Sequence, residues 1–477
     1  MIDIQNIISV YNPWWENGMV GMEVPAFHRP IFQTLMEDMR QIPQILSITG
    51  PRRVGKSTLL YQIIRQLLND QTAPKKIIYY SFDDPALDIS NVHVNALIEY
   101  IMQGALQGKK TGLTYIFLDE IQRLDRWELY LKKYHDLKYP IRVIISGSAS
   151  SPIFKKSRES LMGRVKDYHL LPFSFREFVL YSLIEKPSLM AEVNNIYEQG
   201  KTAQGFATGD LSIVAKEVPI SLPSRELQIF LDGEMRRFML EGGFPEVWSL
   251  PTWVAKQDYL YDNQVRKVIY EDLVLAAEFR KPELLKRFYI SLLESPGREA
   301  SLQSVSKEIN IKIAQIDKYL PLLEMTDLVY SLSKFRASPL RVRRGAMKFY
   351  LVDLALRNAV LRLDPDLLDD NQALGIYAEN LTFLALRKWR GTIQMDYYRE
   401  RNREIDFIVH VKPRQFLPVE VKFQNQISDT DFKSILSFGR NQKRPLMPIM
   451  VTKKWHDFGP RNGVFLIPLP LFLLLFD

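Results

Sequence analysis

The chain reads as an α/β protein built on a parallel sheet, and three observations predict it. Four apolar runs, residues 45–48, 76–82, 115–120 and 141–145, alternate with stretches of helical spacing. Runs that are apolar along their whole length suit strands buried on both faces, as in parallel sheets covered by helices. Residues 44–60 read Q-I-L-S-I-T-G-P-R-R-V-G-K-S-T-L-L, a strand, a tight turn and the start of a helix. Polar residues collect where the later runs end, at Asp119-Glu120 and at Ser146-Gly147-Ser148. The ends of parallel strands are where open α/β sheets bind their ligands.

The turn after the first run fits G-x-x-x-x-G-K-[ST], the phosphate loop of nucleotide triphosphatases. Gly50, Pro51, Arg52, Arg53, Val54, Gly55, Lys56, Ser57 and Thr58 make up the expected ATP-binding segment. Glycines let the backbone curl so that its N–H groups face phosphate oxygens. The helix that follows offers its positive end to the same anion. Lys56 is placed to neutralise the β- and γ-phosphates, and the Ser57 hydroxyl to hold Mg²⁺.

A length of 477 residues allows two to four domains. Cysteine is absent, so no disulfide framework or thiolate zinc site is available, and a reducing cytoplasm is the expected location. The first residues lack the basic and apolar regions of a signal peptide. Residues 464–476 are apolar but interrupted by Pro468 and Pro470. They fall short of the roughly 20 residues of a membrane span. A buried strand and a terminal helical turn are expected there, with no membrane contact. The net charge of +8 favours polyanionic partners.

In chain order, residues 1–44 read as an entry segment. Trp14 and Trp15 sit in a turn, as packing residues or as stackers for adenine, and residues 28–39 form a short amphipathic helix. Residues 45–180 form the sheet domain, with a fifth strand at 168–173. Residues 181–280 read as a helical lid, with 182–223 an irregular insertion or long loop. Residues 281–363 show three helical patterns and two strands around a basic loop, the winged-helix plan. Residues 364–477 form a last α/β unit, opened by the polar stretch 364–370.

Asp119 ends its strand about sixty residues after the phosphate loop, placed to hold the Mg²⁺ shell. Glu120 beside it is the expected base for the attacking water. Ser146 and Ser148 end the neighbouring strand, where a hydroxyl holds water or γ-phosphate. Arg158 and Arg164 are the candidate arginine fingers, in cis or from a neighbouring subunit. Arg52 and Arg53 are expected to contact phosphate or a nearby element.

The segments G-P-R-R-V-G-K-S-T, Y-I-F-L-D-E-I-Q, I-I-S-G-S-A-S, L-M-G-R-V, L-P-F-S-F-R-E-F and E-G-G-F-P-E-V resemble a group of prokaryotic AAA-type ATPases. The group is similar to the archaeal-ATPase and STAND-like branch. The resemblance implies an AAA-like core, a winged helix and a restriction-endonuclease-like end domain of the PD-(D/E)xK type. It matches a polar residue after the fourth strand to Ser146-Gly147-Ser148, and a G-R pair to Gly163-Arg164.

Two further constellations concern DNA. Arg336, Arg341, Arg343 and Arg344, with Lys348, crowd the expected wing, where cations suit phosphate or minor-groove contact. In the last unit, Asp406 lies in one strand and Glu420-Val421-Lys422 in the next. Alternation puts Glu420 and Lys422 on one face. With Glu379 from the preceding helix they complete the D…E-x-K set of restriction-type nucleases. Asp406 and Glu420 would hold Mg²⁺, and Lys422 and Glu379 would complete the catalytic group.

The expected protein binds and hydrolyses ATP, couples its nucleotide state to DNA binding, and cuts DNA with a metal. It forms a homo-oligomer if subunits meet at the γ-phosphate. Two other readings fit the same residues. One is a slow STAND-like signalling switch whose end domain binds a partner without cleaving. The other is a winged-helix transcription regulator.

Overall fold

The computed structural model describes residues 4–84, 98–102, 113–124, 126–148, 161–206, 220–274, 281–335, 345–390, 394–412, 414–440 and 446–477. The chain divides into two compact units, residues 1–171 with 270–280, and residues 172–269 with 281–477.

The first unit contains helices α1 (Ile4–Tyr11) and α2 (Ile31–Gln41), strand β1 (Ile45–Gly50), helix α3 (Lys56–Asn69) and strands β2 (Ile77–Ser81) and β3 (Thr114–Asp119). Helix α4 (Trp127–Asp136) and strands β4 (Ile141–Ser148) and β5 (Val165–His169) follow. The five strands form one sheet in the order β2-β3-β4-β1-β5. All neighbours are parallel. Every residue of β1 is buried, Ser47 and Thr49 included, as a strand inside a sheet covered on both faces requires. Helix α2 buries Phe32, Leu35, Met36 and Met39, the i, i+3, i+4, i+7 stripe of a helix lying on a core.

The register sets the ends level. Ser81 pairs with Asp119, Gly50 with Ser148, and Thr49 with His169. The polar strand ends therefore lie along one rim. The fifth strand comes earlier than the expected 168–173. Its last ladder position is His169, and the Leu170 amide then donates to the Thr49 carbonyl as the chain leaves toward Pro172. Pro172 has no N–H to extend the ladder.

Trp14 is completely buried, and the indole N–H groups of Trp14 and Trp15 both donate to the Ile77 carbonyl, at 3.0 and 2.9 Å. The packing reading of this pair fits; stacking on a base does not.

In the second unit, helix α5 (Phe175–Ser182) starts at a capping box formed by Ser174 and Glu177, which explains the S-F-R-E spacing. Residues 182–223, expected as an irregular insertion, contain instead the long helix α6 (Pro187–Phe206). Leu189, Val193 and Ile196 are buried at helical spacing, a signal diluted in the sequence by surrounding Asn, Gln and Glu. Helices α7 (Arg225–Glu241) and α8 (Trp253–Leu260) follow, and α8 runs on into π-helical turns Tyr261–Arg266 and Val268–Asp272.

Helix α9 (Pro282–Glu294), strand β6 (Glu299–Ala300), helices α10 (Leu302–Ile309) and α11 (Ile313–Met325), and strands β7 (Val329–Ser333) and β8 (Met347–Leu351) come next. The three strands form an antiparallel sheet in the order β6-β8-β7. The two-residue β6 is too short to carry a pattern in the sequence. Helices α12 (Leu354–Leu361) and α13 (Asn371–Arg390) lead to β9 (Met395–Glu400), β10 (Arg403–Lys412) and β11 (Gln415–Lys422). After α14 (Lys433–Arg440) come β12 (Ile449–Thr452), β13 (Gly459–Arg461) and β14 (Val464–Pro468). These six strands are ordered β13-β14-β12-β11-β10-β9. The last apolar segment is β14 followed by helix α15 (Leu469–Leu475), both wholly buried. Helix α15 packs against α6. Among the described residues no helix is long and apolar enough to cross a membrane.

Candidate functional site

The loop between β1 and α3 is shaped by backbone that side chains would obstruct. Gly50 has φ +149°, and a Cβ there would stand 1.9 Å from the Leu170 carbonyl oxygen. Gly55 takes the left-handed conformation, φ +93°, immediately before α3 begins. Lys56 is the first residue of that helix and is buried. Its Nζ donates to the carbonyls of Gly50 at 3.1 Å and Pro51 at 2.7 Å, so the ammonium stands inside the curl of the loop. Arg29 braces the loop from outside, donating to the Val54 carbonyl at 3.2 Å and to the Leu171 carbonyl at 2.9 Å.

Asp119 is the hub of the rim. One carboxylate oxygen accepts from Ser57 Oγ at 2.5 Å and from Tyr79 Oη at 3.0 Å. The other accepts from Ser146 Oγ and from the Glu120 amide. Groups carried by β2, β3, β4 and the first turn of α3 thus meet on one carboxylate. Burial, and then the Asp119 charge, push the Tyr79 phenol far above its ordinary value, so it stays a proton donor. Sequence reasoning missed Tyr79. Its signal was present: alternation along β2 aims it where Asp119 ends β3.

Ser57 and Asp119 offer hard oxygen donors side by side, the chemistry Mg²⁺ takes. Of the expected Mg²⁺ residues, Ser57 and Asp119 therefore fit that ion. Glu120 has φ +50°, and its carboxylate accepts from the Gln122 side chain. Ser148 is buried at the end of β4. His169, at the end of β5, lies 3.0 Å from Thr49 Oγ1.

Arg164 is not brought to the loop. It precedes β5, and its carbonyl accepts from the Ile45 amide, at the start of β1. Its guanidinium bonds both Asp136 oxygens, at 2.7 and 3.1 Å. The length of β1 separates it from the phosphate loop, roughly 17 Å at about 3.3 Å per residue. Service to the γ-phosphate of its own chain is thereby excluded. Arg158 lies outside the described residues.

A cavity of about 430 Å³ runs between α2 and α3, with His28, Arg29, Phe32, Met36, Arg40 and Gln66 in its wall. The His28 ring stacks on Phe32 with centroids 4.0 Å apart.

The C-terminal set comes together around a residue placed elsewhere by sequence. Lys348, grouped with the wing arginines, is buried on β8 rather than exposed on the loop. Its Nζ lies 3.0 Å from Glu379, 3.0 Å from Glu404 and 3.1 Å from Asp406. Strand alternation puts it on the face opposite Met347 and Phe349, a direction that a count of basic residues does not register. Glu420 and Lys422 do share a face, 2.5 Å apart. Asp406 and Glu420 interlock: Asp406 accepts from the Val421 amide at 2.9 Å, and the Asp406 amide donates to Glu420 at 3.3 Å.

Burial raises the carboxyl pKa of both Glu379 and Glu420, and the Asp406 charge adds to it. Burial lowers the affinity of Lys348 for its proton, but Asp406, Glu379 and Glu404 outweigh it and keep the ammonium charged. Among the described residues no group of three or more His, Asp or Glu is arranged to hold a metal ion. Arg336, Arg341, Arg343 and Arg344 lie outside the described residues.

Comparison with known proteins agrees with the first unit's geometry. Residues 43–179 match a family model described as an AAA domain. Residues 232–367 and 374–472 match two domains of unknown function, DUF8612 and DUF4143. An uncharacterized protein of Methanocaldococcus jannaschii is 25% identical over 415 residues, covering 83% of this chain and 79% of that one. An uncharacterized protein of Haemophilus influenzae is 22% identical over 425 residues, covering 88% and 92%.

Among solved structures, C. elegans PCH-2 aligns with a TM-score of 0.24 and 13% identity, over 32% of this chain and 45% of that one. The S. cerevisiae Hsp104:casein complex in its extended conformation aligns with 0.29 and 12%, over 67% and 54%. The chain spans about half the length of either solved structure. The phosphate loop, the parallel sheet and the family match over residues 43–179 together support an AAA-type ATPase domain.

Proposed function

We propose that this chain binds and hydrolyses ATP and uses its nucleotide state to set how the C-terminal half engages DNA. The observation that carries the reading is the convergence of Ser57, Tyr79 and Ser146 on Asp119 beside the Lys56 loop. Backbone N–H groups of the loop receive the phosphates. Lys56 moves its ammonium from loop carbonyls to the β- and γ-oxygens. The cavity against His28 and Phe32 seats the base. Bound Mg²⁺ would neutralise phosphate charge, held by Ser57 with Asp119 behind it. Glu120 takes the proton of a water that attacks the γ-phosphorus. The bond from phosphorus to the bridging oxygen breaks, leaving ADP and phosphate.

The γ-phosphate needs a further cation at the transition state. Arg164 is remote from its own loop and Arg158 lies outside the described residues; the reading takes that cation from a neighbouring copy, which requires a homo-oligomer. DNA engagement rests on the arginines at 336, 341, 343 and 344, which form a basic run between β7 and β8. The winged-helix assignment is supported by the order of α9, β6, α10, α11, β7 and β8.

A second reading is favoured by Lys348: the end domain binds without cutting. Its buried ammonium fills the place where a restriction-type site would put its metal. One assay tests both parts. ATP turnover and plasmid integrity are followed together with and without duplex DNA. Turnover that DNA stimulates, and that Lys56→Ala and Glu120→Gln abolish, is expected, with the plasmid left intact. DNA-independent turnover removes the coupling, and nicking that Asp406→Ala abolishes removes the second reading.

A further inference from the structure

The Lys348 side chain is only 2% exposed, among the deepest charges described. An ammonium has three N–H donors. Here two are donated to Glu379 on α13 and Asp406 on β10, and Glu404, also on β10, pairs with the ammonium at 3.0 Å. Taking a charge that far from water is costly unless partners compensate it. Three carboxylates at hydrogen-bond distance supply that compensation.

The acids are equally committed. Asp406 gives one oxygen to Lys348 and the other to the Val421 amide. Glu420 gives one to Lys422 and the other to the Asp406 amide. The Glu379 oxygen facing Lys348 also accepts from Tyr350 Oη at 2.7 Å. A divalent ion takes its oxygens at about 2.0 to 2.6 Å. Such contacts require these oxygens to exchange their present donors, and Lys348 Nζ stands in the way of Glu379 and Asp406.

We propose that Lys348 Nζ is the resident cation of this carboxylate cluster and closes it to divalent metal. The cluster then serves as an ionic clasp between β8 and the α13–β10 face. Removal of that ammonium would leave the carboxylates open to a divalent ion. This inference is independent of the ATPase reading, because every group in it lies in the second unit.

The test is Mn²⁺ uptake by the full-length, nucleotide-free protein, followed by the paramagnetic signal of free Mn²⁺. The chains compared differ only at the cluster, so uptake at the phosphate loop cancels. Wild type and Glu420→Gln are expected to take up the same amount. Lys348→Met is expected to gain one equivalent, bound at least about tenfold more tightly than any Mn²⁺ on wild type. Adding Glu420→Gln to Lys348→Met should remove that gain. The proposal is overturned if wild type holds Mn²⁺ that Glu420→Gln releases. It is equally overturned if folded Lys348→Met gains none, or gains an equivalent that Glu420→Gln leaves in place. Should Lys348→Met fail to fold, the wild type and Glu420→Gln pair decides alone.

Discussion

Ser57 Oγ donates to Asp119 at 2.5 Å, joining the helix that follows the phosphate loop to the end of a strand two places away in the sheet. The loop and the acidic strand end, distant in sequence, are one site. Asp119→Asn removes the charge and turns one acceptor into a donor. ATP turnover should fall by about 10²-fold or more, in the range seen when one electrostatic stabiliser of a transition state is removed. Steady-state phosphate release measures it, and a loss below a few-fold would detach Asp119 from the chemistry.

Tyr79 is the hub's least expected partner. Tyr79→Phe keeps the ring and loses one hydrogen bond to Asp119. It should cost about 1.5 to 3 kcal/mol of stability, as a bond to a charged group does. Turnover should fall only a few-fold. Thermal unfolding checks the first value, and a variant as damaged as Asp119→Asn would contradict the supporting role.

Gly50→Ala puts a methyl group 1.9 Å from the Leu170 carbonyl oxygen, which belongs to backbone and has no side chain to swing aside. The loop must distort. ATP affinity should fall more than about tenfold, with stability reduced by the 1 to 3 kcal/mol of an overpacked core. Calorimetric titration and thermal unfolding read the two effects separately.

Asp353 supplies a pH dependence. It accepts from the Gly243 amide at 2.6 Å and the Ala355 amide at 2.8 Å, which accounts for the E-G-G-F segment. Burial raises its carboxyl from 3.8 to about 6, and the two amides oppose the rise. A folded pKa above the unfolded one means the folded chain binds more protons between the two values. Its contribution is full below about pH 3.8 and is lost as pH rises through about 6. The change amounts to no more than about 3 kcal/mol at 1.36 kcal/mol per pKa unit. Unfolding temperatures of wild type and Asp353→Asn, taken from pH 4 to 7, should differ in slope; parallel curves would contradict it.

Legibility followed local periodicity. The phosphate loop, β1 to β4 and the buried end of the chain follow from residues adjacent in sequence, so patterning and turn chemistry exposed them. Helix α6 was obscured because Leu189, Val193 and Ile196 make a narrow stripe in a polar segment. Arg164 is remote from the phosphate loop of its own chain for a topological reason. A residue before β5 lies at the far end of a parallel sheet, which spacing from the loop does not reveal. Lys348 was misread as a wing cation because charge in a sequence carries no direction. Which face of β8 it occupies depends on a register fixed by the β7 pairing. Convergence on Asp119 and on Lys348 is set by tertiary contacts, and single elements do not encode it.

Nucleotide binding by the Lys56 loop is the step on which every later one depends. Titration of ATP with Mg²⁺ into nucleotide-free protein should show binding of about one equivalent at micromolar affinity. In Lys56→Ala it should weaken about a hundredfold, the loss of a charge-assisted contact of roughly 3 kcal/mol. A folded wild-type chain that releases no heat and retains no ATP, or equal affinities for the two proteins, would contradict it.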